Sequence, residues 1–149
     1  ILVMVMFYYG FIGYKDFKEI AEDVLEVDVT GRMWDWDFVY DNGINLDTLY
    51  VPVNQSVKLN MISADVNHSF YIPAFRIKMD VIAGSEQYLV FNAEKEGSYN
   101  VACAEYCGLN HSGMYTKVVV LPKEEGPISR AGSPASRLSC RNLPTSSVF

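Results

Sequence analysis

The chain has 149 residues, 50% of them hydrophobic and 13% aromatic, which is enough for one folded domain with a substantial core. Its formal net charge is −6, and this acidity argues against nucleic acid as a partner and favours a basic protein. Three cysteines are too few for a disulfide framework in a chain of this size.

The first 13 residues carry no charge, and the first charged residue is Lys15. This stretch is shorter than the roughly 20 residues that span a bilayer, and it lacks the basic start and the cleavage site of a signal peptide. We interpret residues 1–14 as the outer end of a truncated transmembrane helix, with tyrosines at the membrane interface, and residues 15–23 as a linker. A buried strand or helix of the core is the alternative.

From Val24 onward, β-branched and aromatic residues alternate with polar ones between Gly, Asn, Asp and Pro, which is typical of β-strands. The pattern predicts an all-β domain over residues 24–125, either a β-sandwich or a small Greek-key barrel. The sequence Asp-Asn-Gly at 41–43 predicts a turn. The predicted strands are Val24–Thr30, Arg32–Tyr40, Thr48–Val53, Ser56–Ser63, Glu86–Asn92, Ser98–Ala102 and Tyr115–Leu121.

The second predicted strand has an aromatic residue at every other position. Side chains at alternate positions of a strand point to the same face. The pattern therefore predicts that Trp34, Trp36, Phe38 and Tyr40 share one face. For Trp36, Phe38 and Tyr40, packing in the core is the ordinary explanation.

The region around this strand is acidic, with nine acids and a single base, Arg32, between Glu19 and Asp47. Such a run usually means a solvated face. The alternative is a docking surface for a basic protein, whose association the negative charge would accelerate.

One short segment holds most of the residues that can bind a soft metal. Cys103, Cys107, His111 and Met114 lie within twelve positions, and His68 is the only other histidine. Thiolate, thioether and imidazole together favour copper. A Cys/Cys/His/His zinc site, a disulfide and a mononuclear blue-copper site are the alternatives. The second thiol favours a centre with two copper ions, because it would otherwise have little reason to lie beside a copper thiolate.

The segment C-A-E-Y-C-G-L-N-H-S-G-M at 103–114 resembles the CuA signature of cytochrome c oxidase subunit II, C-x-E-x-C-x-x-x-H-x-x-M. Residues 65–73 resemble the segment that holds the first histidine of that family. The resemblance extends from about Ile1 to Glu125. The CuA domain of nitrous oxide reductase typically has a tryptophan where this chain has Glu105, which favours the oxidase family.

The resemblance implies a cupredoxin-like Greek-key domain, anchored by a transmembrane helix on the outer face of a bacterial or mitochondrial membrane. In that family the domain passes electrons from cytochrome c to haem in oxidase subunit I, where oxygen is reduced. A CuA or mononuclear cupredoxin carrier outside an oxidase is the alternative. The resemblance implies that two copper ions are bound by His68, Cys103, Glu105, Cys107, His111 and Met114.

Two further roles are implied by the resemblance. Glu105 would bind copper through its backbone carbonyl, and its side chain would face subunit I, where the family places a magnesium ion. Trp34 matches the first tryptophan of the family's W-x-W segment, which takes in the electron from cytochrome c.

The last segment, 126–149, is rich in Ser, Pro, Gly and Arg without periodicity, which predicts a disordered tail. It contains the third cysteine, Cys140, to which the sequence assigns no role. The chain has no C-x-x-C-H motif for attaching a haem c group.

Overall fold

The computed structural model describes residues 1–18 and 24–123. Most of the predicted linker, residues 19–23, lies outside the described residues, as do the predicted disordered tail and Cys140.

The N-terminal segment is a helix, α1, over Leu2–Lys18, which ends four residues beyond the predicted boundary at residue 14. It contains no proline, and Phe7 and Phe11 stack one turn apart with their ring centroids 5.9 Å from each other. The side chains of residues 1–15 are exposed. Within residues 1–18 and 24–123, no helix combines the length and the apolar content needed to cross a membrane.

Residues 24–123 contain ten strands, which form two five-stranded sheets. The first sheet has the order β3-β2-β1-β5-β8 and the second β4-β10-β9-β6-β7. The strands are β1 (Val24–Arg32), β2 (Asp35–Tyr40), β3 (Asn45–Leu46), β4 (Leu49–Pro52), β5 (Ser56–Ser63), β6 (His68–Ile72), β7 (Ile77–Val81), β8 (Gln87–Asn92), β9 (Gly97–Cys103) and β10 (Tyr115–Leu121).

Side chains from both sheets bury one shared apolar core. The first sheet contributes Val29 and Leu59, for example, and the second contributes Val101 and Val118, all of them with no exposed surface. Each sheet contains one parallel pair, β1 with β5 and β4 with β10, among otherwise antiparallel strands. The alternating pattern of the sequence is therefore explained by a β-sandwich with one face of each sheet buried.

All seven predicted strands are present, with ends that shift by at most three residues. The sequence analysis missed three short strands, β3, β6 and β7. The predicted turn at 41–43 is confirmed, since the Gly43 amide donates to the Tyr40 carbonyl over 2.8 Å.

The predicted strand Arg32–Tyr40 is wrong at its start, because Met33 and Trp34 form a turn between β1 and β2. Trp34 therefore does not share a strand face with the other three aromatic residues. As predicted for a core face, Trp36, Phe38 and Tyr40 are buried.

Candidate metal centre

Neighbouring strands bring the two predicted ligand segments together. His68 is the first residue of β6, which pairs with β9 so that Phe70 lies opposite Cys103. The Ala104 amide donates to the Ser69 carbonyl over 2.9 Å and extends this link. Cys103 is the last residue of β9, and the connection between β9 and β10 carries the other predicted ligands, Glu105, Cys107, His111 and Met114.

The two thiols form the middle of the site, with their sulfur atoms 3.7 Å apart. Cys103 Sγ lies 3.9 Å from His68 Nδ1 and 3.2 Å from the Glu105 carbonyl oxygen. Each thiol thus has an imidazole nitrogen and one weaker donor beside it, since Cys107 Sγ has His111 Nδ1 at 3.5 Å and Met114 Sδ at 3.7 Å.

Most of these donors are shielded from water. His68 and Met114 have no exposed surface, and Cys103 and Cys107 are buried, whereas His111 is partly exposed. Desolvation, together with the neighbouring Cys103 thiol, raises the pKa of the Cys107 thiol to about 11. A metal would therefore have to displace the thiol proton when it binds.

Backbone hydrogen bonds fix the connection between β9 and β10. The Cys103 amide donates to the Met114 carbonyl over 3.1 Å, and the Met114 amide donates to the His111 carbonyl over 3.2 Å. The His111 amide donates to the Gly108 carbonyl over 3.1 Å. These bonds close the segment on itself and hold its side chains at one end of the sandwich.

Trp34 lies against this connection although it is distant in sequence. A Cβ atom placed on Gly108 would lie 3.4 Å from Nε1 and 3.5 Å from Cζ2 of Trp34, and 3.7 Å from Met33 Sδ. Gly108 has a φ of +119°, a backbone conformation open mainly to glycine. The Trp34 indole, 37% exposed, therefore lies directly over the residue that follows Cys107.

Two residues that surround His68 were not identified as site residues from the sequence. Asp65 Oδ1 lies 2.8 Å from His68 Nε2, the ring nitrogen that faces away from Cys103. The Trp36 ring packs edge-on against the imidazole, with centroids 5.9 Å apart. The spacing of three positions between Asp65 and His68 could have indicated the contact between these two side chains.

The acids on β2 and directly after it differ in their contacts and in their exposure. Asp37 forms an ion pair with Arg32 at 2.8 Å. Asp35 is exposed and accepts a hydrogen bond from the Trp36 amide over 2.8 Å, and Asp41 is exposed. Asp35 therefore presents charge to the solvent beside Trp34, whereas Asp41 does so at the opposite end of β2.

The donor set fits copper. The ligand atoms of His68, Cys103 and Cys107 all lie within 4.8 Å of one another, so one small region can hold metal. Sulfur and imidazole ligands select soft or borderline ions such as copper. A tetrahedral zinc site would use four of the six neighbouring donors. The Met114 thioether and the Glu105 carbonyl would then bind no metal.

Comparison with known proteins identifies the family of this domain. The family model described as cytochrome c oxidase subunit II, periplasmic domain, matches residues 5–121. Cytochrome c oxidase subunit 2 of Synechocystis sp. is 46% identical over 100 residues, which cover 66% of this chain and 30% of that protein. The protein of the same name from Thermostichus vulcanus is 45% identical over 102 residues, covering 68% and 31% respectively. This chain thus spans less than a third of the length of these relatives.

The fold is also shared with a solved structure. The crystal structure of the periplasmic domain of subunit II of cytochrome oxidase from Bradyrhizobium japonicum aligns with a TM-score of 0.66 at 30% identity. The alignment covers 72% of this chain and 91% of that one. The predicted cupredoxin-like fold is confirmed, and the chain belongs to the family of cytochrome c oxidase subunit II periplasmic domains.

Proposed function

We propose that this chain is the part of a haem-copper oxidase through which electrons enter from cytochrome c on their way to haem in subunit I. The observation that carries the proposal is the division of the donors between two thiols 3.7 Å apart, each with its own imidazole nitrogen. A mononuclear site needs only one thiolate. Two shared thiols with a histidine on either side suit a pair of metal ions.

The residues that would hold two copper ions are Cys103 and Cys107 as bridging thiolates, His68 and His111 through Nδ1, the Met114 thioether and the Glu105 carbonyl. When bound, the copper pair would supply a one-electron redox centre. The protein supplies burial and fixed positions, because strands and backbone hydrogen bonds hold most donors before metal arrives. Donors that do not move between oxidation states favour fast electron transfer.

Trp34 is suited to take in the electron. Its indole is partly exposed and lies over Gly108, the neighbour of Cys107. An aromatic ring that reaches from the surface to the residue beside a metal ligand shortens the distance over which the electron must tunnel. The exposed Asp35, which directly follows Trp34, would attract a basic cytochrome c to the same region.

Two further contacts with the oxidase are part of this proposal. The exposed Glu105 side chain would face subunit I and take part in binding a magnesium ion there. The exposed apolar helix α1 would be the outer end of the anchor that keeps the domain on the outer face of the membrane.

Copper content and an electron paramagnetic resonance spectrum of the purified chain test this proposal. We expect two copper ions per chain and the spectrum of one electron shared between two equivalent coppers. One copper per chain with a four-line hyperfine pattern would instead indicate a mononuclear carrier. Preferential retention of zinc, with no redox activity, would indicate a structural metal site.

A further inference from the structure

One carboxylate links the metal site to the turn that carries Trp34. Asp65 Oδ1 lies 2.8 Å from His68 Nε2, and Asp65 Oδ2 accepts a hydrogen bond from the Met33 amide over 2.6 Å. Met33 immediately precedes Trp34, so the two oxygens of one side chain hold a metal-ligand candidate and the backbone beside the indole.

The contact with His68 determines which ring nitrogen can bind metal. A carboxylate beside Nε2 keeps a proton on that nitrogen, which leaves the lone pair of Nδ1 free. Nδ1 is the nitrogen that faces Cys103 Sγ, at 3.9 Å. Since His68 has no exposed surface, water cannot take over this role easily.

The contact with Met33 stabilises a turn of unusual amino-acid composition. Two-residue hairpin turns usually contain glycine, asparagine or aspartate, whereas the turn between β1 and β2 consists of Met33 and Trp34. The Asp65 carboxylate holds the first amide of this turn from outside the hairpin.

The loop of Asp65 is itself anchored. The Ala64 amide donates to the Gly31 carbonyl over 2.9 Å, which ties the loop to the end of β1. Asp65 also accepts a hydrogen bond from the Val66 amide over 2.6 Å. The carboxylate is therefore a fixed acceptor.

We propose that Asp65 is a positioning residue that holds the His68 imidazole and the Trp34 turn in a single fixed arrangement. In the frame of the proposed function, it keeps the residue that takes in the electron aligned with a ligand of the centre that receives it. The contacts themselves exist without metal, so they can be tested separately from that function.

The test uses the metal-free 149-residue chain and two NMR signals, the Nε2 proton of His68 and the exchange of the Met33 amide with solvent. In Asp65→Ala we expect Met33 to exchange about tenfold faster, as for the loss of one hydrogen bond to a charged group. We also expect the Nε2 proton signal to shift upfield or disappear. If the folded variant leaves both signals unchanged, the proposal is wrong.

Asp65→Asn is a second variant that preserves size. An asparagine has one acceptor oxygen and one donor nitrogen, so it cannot accept from both His68 and Met33. We expect at least one of the two signals to change. If Asp65→Asn left both signals unchanged, the proposal would be wrong even if Asp65→Ala did not fold.

Asp80→Asn is the matched control, because Asp80 is an acid on β7 that accepts from Ser69 Oγ over 2.7 Å, next to His68 but away from its ring. We expect neither signal to change, and equal changes would mean that charge alone is responsible.

In the copper-loaded chain, Asp65→Ala should raise the reduction potential more than Asp80→Asn does, because a carboxylate partner makes an imidazole a stronger donor. A shift no larger than in the control would overturn the role of Asp65 toward His68. If the wild-type chain bound no copper, the proposed function would fail while the metal-free signals still decided the role of Asp65.

Discussion

The two histidines of the candidate metal centre have different structural supports. His68 begins a strand, is fully buried, packs against Trp36 and contacts Asp65. His111 lies in the connection between β9 and β10, is partly exposed and has its ring beside the exposed Tyr106, with centroids 5.8 Å apart. Folding of the core therefore fixes His68 before metal binds, whereas His111 depends on its local backbone and on the metal itself.

The largest effect on folding should come from removing the core support of His68. Trp36 is fully buried and packs edge-on against Phe70, with centroids 5.1 Å apart. We expect Trp36→Ala to lower the free energy of unfolding by about 3–5 kcal/mol and to weaken copper binding, because the imidazole loses its packing surface. Urea unfolding of the metal-free chain and a copper titration measure the two effects.

Tyr106→Ala is the matched change beside the other histidine. Tyr106 is 75% exposed, so the free energy of unfolding should change by no more than about 0.5 kcal/mol. If the two variants destabilised the chain equally, the contrast between the two histidines would be wrong.

The surroundings of His111 were easier to predict from the sequence than those of His68. Residues 103–114 could be identified as a ligand segment because the ligands are close together in sequence and lie between two strands with a regular pattern. The support of His68 comes from residues far away in the chain, since Met33 lies 32 positions before Asp65. Local periodicity carries no information about such contacts.

Strand β6 was not predicted because it lacks the alternation by which half-buried strands are recognised. In β6 four of the five side chains are buried, so no polar and apolar alternation marks the strand. The turn at Met33 and Trp34 was read as part of the strand, because Trp34 continues the series of aromatic residues at alternate positions that Trp36, Phe38 and Tyr40 form. The turn also lacks the glycine or asparagine that usually indicates such a turn.

A smaller effect is expected from overpacking the same region. A Cβ atom at Gly31 would lie 3.0 Å from Trp36 Cζ3 and 3.3 Å from His68 Cδ2, both in buried rings with little room to move. We expect Gly31→Ala to cost about 1–3 kcal/mol of unfolding free energy. Urea unfolding measures this cost, and the Nε2 proton signal of His68 should shift with it.

The control for this substitution lies beside His111. A Cβ atom at Gly113 would lie 2.6 Å from Asn110 Oδ1, which is an even closer approach. Asn110 is exposed, however, and its side chain can rotate away. Gly113→Ala should therefore cost less than Gly31→Ala, and adding Asn110→Ala should remove most of the cost. A larger cost for Gly113→Ala would show that the connection is as rigid as the core.

A small effect on folding, with a specific effect on function, is expected at Trp34. Because the indole is 37% exposed, Trp34→Phe should change the free energy of unfolding by less than about 1 kcal/mol. It should leave the binding of a basic cytochrome c nearly unchanged but slow electron transfer within the complex severalfold, since the smaller ring covers less of the gap above Gly108. Stopped-flow reduction at saturating cytochrome c measures this rate.

Asp35→Asn and Asp41→Asn separate docking from electron transfer, since Asp35 lies beside Trp34 and Asp41 follows the other end of β2. Neutralising an exposed acid should lower the second-order rate and flatten its dependence on ionic strength, while the saturating rate stays the same. Asparagine at position 35 can still accept from the Trp36 amide, so the turn should be preserved. If Trp34→Phe changed only the salt-dependent association rate, Trp34 would be a docking residue. Trp36 could not replace it as the point of electron uptake, because it is fully buried; the exposed Tyr106, whose ring lies beside that of His111, would be the next residue to test.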